Sequence, residues 1–238
     1  MKKTLIIIVV LTAILSSCNS KKFLEQNYYT NTQTQVSIGD IIDSSNKEPE
    51  NNIKAKVKFT ETIELSYSIK KVNRKANNLI EDAYKALGKT VEYNYLDTLD
   101  YKPSYIVLNI SENLKLAELL NNDLGAKSYM ATTDKAAVIT QIALIFPQKD
   151  INELKKSQRM LISESKKNGQ QLIYEIGSKK HSLLLSTGVV FAWRISKVCW
   201  IYNKAKYKND IGDIIPDGKK CNDNMSKLPK ERKKEYDF

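Results

Sequence analysis

Apolar and polar residues alternate most regularly between residues 53 and 70. Ile53, Ala55, Val57, Phe59, Ile63, Leu65, Tyr67 and Ile69 take odd positions, while Lys54, Lys56, Lys58, Thr60, Thr62, Glu64, Ser66, Ser68 and Lys70 take even ones. A period of two places the sets on opposite faces of a half-buried strand. One strand of that length would be unusual, so the pattern predicts a hairpin or bend at residues 60–62, with Glu61 at its tip. Residues 73–87 switch to a helical stripe of Ala76, Leu79, Ile80, Ala83, Tyr84 and Leu87, with Gly88 as its stop. Val91, Tyr93 and Tyr95 then alternate as a strand, and Pro103 breaks the pattern before a buried strand at 105–110.

Ser111 is an N-cap for a helix carrying Leu114, Ala117, Leu120 and Leu124 and ended by Gly125. The apolar run 136–146 is β-branched and stops at Pro147, which favours a strand. Asp150 and Glu153 form a capping box ahead of Ile151, Leu154, Leu161 and Ile162, with Gly169 closing that helix. Leu172, Tyr174 and Ile176 alternate, a turn at 177–180 follows, and Leu183 and Leu185 return. Val189, Phe191, Trp193, Ile195, Cys199 and Ile201 continue an odd-position face broken only by Lys197. Strands interleave with helices without strict alternation. The expected fold is therefore α+β, an antiparallel or mixed sheet with about three helices packed on one side.

Both flanks differ from this domain at 53–202. Residues 18–52 are rich in Asn, Gln, Thr and Ser, with short apolar groups such as Ile38, Ile41 and Ile42, and read as a flexible tether spanning on the order of 30 Å. Residues 203–238 read as a basic polar tail. Glu61 and Lys197, the two charges that breach the apolar registers, would have to pair or meet a cavity if their strands ran on unbroken.

Residues 1–17 have the three zones of an export signal: Lys2 and Lys3, an apolar stretch at 5–15, and small residues at Ser16 and Ser17. The stretch is about half of the roughly 20 residues that span a bilayer. The run Leu15, Ser16, Ser17, Cys18 resembles the lipobox of bacterial lipoproteins. This resemblance implies diacylglycerol on the Cys18 thiol, cleavage before it, and a membrane anchor of more than one acyl chain. Asn19, in place of an inner-membrane-retaining aspartate, leaves outer-membrane delivery open, while Lys21 and Lys22 differ from acidic cell-surface signals. The expected address is the outer membrane facing the periplasm, with the inner membrane and the cell surface as the other destinations.

That address changes what the charge means. The precursor carries a formal +11, and losing Lys2 and Lys3 leaves +9. A basic balance in the cytoplasm would suggest nucleic acid. In the envelope it attracts lipid headgroups, acidic glycans and acidic proteins, or only solvates the surface. Cys199 and Cys221 remain after Cys18 is acylated, either as two free thiols or as a bridge across about twenty residues contributing roughly 3 kcal/mol.

The catalytic inventory is thin. One histidine, His181, excludes mechanisms and metal sites that need a His pair. A Cys199 nucleophile served by His181 is outweighed by a solvated loop histidine. Asp210, Asp213, Asp217 and Asp223 lack the spacing of a calcium loop, and Gly177 and Gly188 stand alone, so neither a metal nor a cofactor is expected. These features favour a non-enzymatic binding protein of the envelope, an assembly component or an immunity-type protein, held to the membrane by lipid and facing a protein or anionic partner. The alternative is a lipid-anchored cell-wall hydrolase or glycan binder, for which Tyr93, Tyr95, Tyr101 and Trp200 are the aromatic candidates. Replacing Cys18 with serine is expected to leave the precursor uncleaved and unacylated. Labelled palmitate incorporation and gel mobility check this, and label on the serine variant would refute the anchor.

Overall fold

A computed structural model describes residues 20–23, 26–30, 35–45, 53–91, 93–96, 98, 102–165, 167, 169–204 and 208–229. Cys18 and the export signal lie outside them. In chain order the strands begin with β1 (Ser20–Phe23), β2 (Gln26–Thr30), β3 (Asp40–Asp43), β4 (Ile53–Lys56) and β5 (Ile63–Lys71). Helix α1 (Arg74–Ala86), β6 (Ser104–Ile110), α2 (Asn113–Asn122), α3 (Leu124–Thr132), β7 (Ala136–Ile145) and α4 (Gln148–Leu154) follow. The chain continues through β8 (Arg159–Ser165), β9 (Gly169–Ile176), β10 (Lys179–Leu184), β11 (Val189–Asn203) and β12 (Lys208–Pro216).

These strands form one sheet in the order β1-β2-β11-β7-β6-β5-β8-β9-β10, with β12 added to β11 and the β3–β4 pair added to β7. Neighbours pair antiparallel throughout the described residues. The protein is thus α+β and dominated by antiparallel sheet. The helices do not share one side. On β6, Tyr105 and Val107 face α1 through Leu79, Ile80 and Ala83. Ile106, Leu108 and Ile110 face the larger core that takes in Leu116, Leu120, Met130, Ile151 and Leu154 from α2, α3 and α4. Central strands buried on both faces need helices on both, as their near-continuous apolar sequence requires.

Local signals explain where the elements begin and end. Asn73 caps α1 by accepting a hydrogen bond from the Ala76 N–H at 2.8 Å, and Gly88 follows with φ +64°. The alternating segment 53–70 breaks between β4 and β5, and Glu61 lies in that bend. Helix α4 starts earlier than the capping-box pattern implies and stops at Leu154; Leu161 and Ile162 belong to β8, where long-range pairing with β5 and β9 overrides the helical spacing. Asp123 caps a further helix, α3, so Gly125 lies inside a helix. Val91, Tyr93 and Tyr95 form no strand but pack beside α1.

The boundaries expected at residues 52 and 202 do not hold. Tyr28, Val36, Ile38, Ile41 and Ile42 are all buried, so much of the expected tether is core. The Gly39 N–H donates to the Ile139 carbonyl at 2.8 Å, and the Val57 N–H donates to the Gly39 carbonyl at 2.9 Å. Gly39 has φ +85°, and a Cβ there would come within 2.9 Å of the Phe59 ring, so glycine permits both the turn and the close packing. At the other end β12 brings Ile211 and Ile214 into the core. Few apolar residues, spaced for burial rather than in a long run, were enough because the sheet supplied their partners.

Truncating Ile41 to alanine separates core from tether. Loss of a fully buried side chain is expected to destabilise the fold by about 2–5 kcal/mol, seen as a lower denaturant midpoint. An unchanged midpoint would return this segment to a tether.

Candidate functional site

The β11–β12 hairpin and helix α3 enclose an open cleft of about 520 Å³, with Leu124, Ala131 and Trp200 as apolar walls and Lys127 and Lys208 at its rim. Side-chain amides position the hairpin. Asn121 Nδ2 donates to the Ile211 carbonyl at 2.8 Å while its Oδ1 accepts from the Ile211 N–H at 2.8 Å, and Asn113 Nδ2 donates to the Ile214 carbonyl at 2.9 Å. Helix α2 therefore satisfies the outer edge of β12 as a neighbouring strand would.

The two rim lysines share one carboxylate. Lys127 Nζ lies 2.6 Å and Lys208 Nζ 3.4 Å from Asp210 Oδ1. Partial burial acts to raise the Asp210 pKa, but hydrogen bonding and attraction from Lys127 and Lys208 outweigh it and hold the carboxyl below its usual value. The cleft keeps one surplus positive charge from this trio. Trp200 is 2% exposed, and its indole N–H has no acceptor among the described residues. Leu124, the first residue of α3, is 80% exposed.

Cys199 and Cys221 are joined by a disulfide, with Cα atoms 5.7 Å apart. The bridge draws the segment after β12 back across the hairpin. There the Trp200 backbone N–H donates to the Ser226 carbonyl at 2.7 Å and the Ser226 backbone N–H returns to the Trp200 carbonyl at 2.9 Å. Pro229 completes that side of the cleft. A bridged Cys199 is not a nucleophile, and His181 instead stacks on Tyr174 from β10, ring centroids 5.3 Å apart.

Glu61 and Lys197 form no pair. Glu61 is mostly exposed at the bend, 3.8 Å from Lys115, and Lys197 reaches Asp217 at 2.6 Å. Glu61 stands at the bend between β4 and β5, and Lys197, opposite Ile215 of β12, is held by the carboxylate that follows that strand. Asp210, Asp213 and Asp217 also go separate ways. Asp213 accepts from the Ile214 N–H and Asp217 from the Gly218 N–H, and the described residues hold no group of three or more metal-ligating side chains.

The aromatic candidates are not brought together. Trp200 lines the cleft, whereas Tyr93 and Tyr95 pack with the α1 cluster on the opposite sheet face, and Tyr101 lies outside the described residues. Tyr93 donates to Asn77 Oδ1 at 3.3 Å, and burial, reinforced by Glu81, pushes its pKa up.

The fold and its cleft define an antiparallel α+β protein with an open, lysine-rimmed depression beside a disulfide-bound hairpin. Comparison of the chain with protein-family models, with curated proteins and with solved structures finds no match.

Sequence pattern also missed a buried polar seam. Asp40 is 4% exposed and accepts from the Ser37 N–H at 2.7 Å. Burial pushes its pKa up to about 6, against the opposing pull of the Ser37 N–H and Lys56 and with a further push from Glu164. Lys56 lies 4.0 Å from Glu164, whose carboxylate accepts from the Phe59 N–H at 3.2 Å. Gln170 donates to the Ile38 carbonyl at 2.7 Å while its Oε1 has no partner among the described residues. The seam joins β3 and β4 to β8 and β9.

The folded-state pKa of Asp40 lies above the ordinary carboxylate value of about 3.9, so between roughly pH 4 and 6 the folded chain holds a proton that the unfolded chain releases. Stability from this group therefore falls as pH rises through that window, by on the order of 2–3 kcal/mol. Asp40→Asn is expected to remove this slope. Denaturation of both proteins at several pH values checks it, and parallel stability curves for the two would refute the role of Asp40.

Proposed function

We propose that the protein is a cell-envelope lipoprotein, anchored by lipid on Cys18, whose α+β domain binds another macromolecule as an assembly component or an immunity-type protein. The observation that carries this reading is the cleft at the β11–β12 hairpin, where the exposed Leu124 stands beside rim lysines. Protein contact surfaces pair an apolar centre with a polar rim, and Leu124 and Ala131 between the rim lysines have that arrangement on a small scale. The Cys199–Cys221 bridge supports an exported protein, because disulfides persist in oxidising compartments.

Strand β1 begins at Ser20, two residues after Cys18, and two residues of extended chain reach about 7 Å. The sheet edge formed by β1 and β2 then rides close to the headgroups of the outer membrane on its periplasmic face. The cleft, at the far end of β11 from its contact with β2, is open to partners in the periplasm.

Affinity capture of the lipidated protein from solubilised envelope, with Cys18→Ser as the control, tests the proposal. A partner that is retained at low salt and released by higher salt is the expected result. Recovery of none under either condition would overturn it.

A further inference from the structure

We propose that the cleft beside Trp200 holds an acidic, leucine-bearing peptide segment of a partner protein, with its carboxylates at Lys127 and Lys208 and an apolar side chain against Leu124. This names the partner chemistry of the binding protein proposed above and rests on that reading.

Three features of the surface point to that ligand. The first is continuity. Leu124 is a wall of the 520 Å³ cleft and also of a second depression of about 400 Å³ lined by Lys58, Thr60, Leu119 and Asp123. Both hollows border on Leu124 at the start of α3, which makes them the two ends of the proposed groove, with an apolar side chain in water between them. A peptide has the dimensions to cover both hollows at once, with an apolar residue over Leu124 and polar ones to each side.

The second is charge. Lys127 and Lys208 compete for the single Asp210 carboxylate, and Lys58 at the other end of the groove has no ion pair among the described residues. Asp123 offsets part of this charge but already uses Oδ1 to cap the Ala126 N–H. A carboxylate entering the rim relieves the competition for Asp210, whereas a second copy of this chain, itself strongly basic, would be repelled.

The third is the apolar wall of the cleft, which Leu124, Ala131, Trp200 and Pro229 line. A leucine side chain laid against that wall covers apolar surface that is otherwise left to water.

The test is fluorescence anisotropy on the full lipidated protein in detergent, with a short fluorescein-labelled peptide of glutamate and leucine and its lysine-for-glutamate counterpart as probes. The acidic peptide is expected to bind, the basic one not, and affinity to fall with salt. Leu124→Ser and Lys208→Glu, both at side chains well exposed to solvent, should each weaken binding by about tenfold or more at an unchanged melting temperature. Wild-type affinity in both variants, or no preference between the two peptides, would overturn the proposal. So would binding to phosphatidylglycerol vesicles that depends on the same two residues in a protein that ignores the acidic peptide. The two levels fail separately. Intact peptide binding by a chain that is never acylated removes the envelope reading alone, and capture of a partner unaffected by Leu124→Ser and Lys208→Glu removes the cleft alone.

Discussion

Strand β11 must find hydrogen-bond partners for fifteen residues of largely buried backbone, and the rest of the fold is arranged to supply them. Along one edge it pairs with β7 from Val189 to Ser196. Along the other, β2 takes Ala192 and Trp193, then β12 takes the strand from Ser196 to Asn203. The N-terminal and C-terminal segments are thereby drawn onto the same strand. Without those two flanking pieces, half the backbone groups on that edge would be left unpaired beside an apolar core. Strand β7 has a similar position: β11 occupies one edge, while β3 and β6 share the other.

A long central strand cannot stay regular against several partners. The register of β11 against β7 shifts between Val190 and Ala192, so that Phe191 and Ala192 both turn toward α1 and Trp193 returns to the larger core. A further shift falls between Cys199 and Trp200, where the extra residue is Gly212 of β12, and Val198 and Trp200 keep one buried face of β11 while Ile201 is partly exposed. Trp200 reaches the cleft on the same face of β11 that Val198 gives to the larger core. The disulfide one residue earlier then ties the following chain over it.

Where no strand is available, amide side chains stand in. Asn121 serves both backbone groups of Ile211, and Gln148 serves Ser104 in the same two-bond manner, at 2.8 and 3.0 Å. Such contacts close sheet edges against unwanted pairing while leaving the adjoining surface open. On β12 this separates the two duties of one strand, since its edge is covered by α2 while Lys208 and Asn209 at its start line the cleft.

Residue pattern alone determined the strand bend near Glu61, helix α1 with its Gly88 stop, the buried strands β6 and β7, and the α+β class, because those segments carry their own periodicity and punctuation. It also limited the chemistry, since a single histidine excludes sites that need a His pair, and Leu15 to Cys18 resemble a lipobox, a likeness that no fold bears on. Tertiary structure decided the rest. The stretch before residue 52 looks like a tether because its few isoleucines are short of a full strand pattern, yet β4, β7 and Phe59 bury them. Lys197 looks like a breach only if β11 keeps one register, which its shifting partners prevent. The cleft joins α3, a helix hidden behind Gly125, to a hairpin whose second strand looks like tail, and residues so far apart in sequence share no local signal. Local order is encoded by spacing along the chain, but burial and binding surfaces arise from which distant segments complete the same backbone edge.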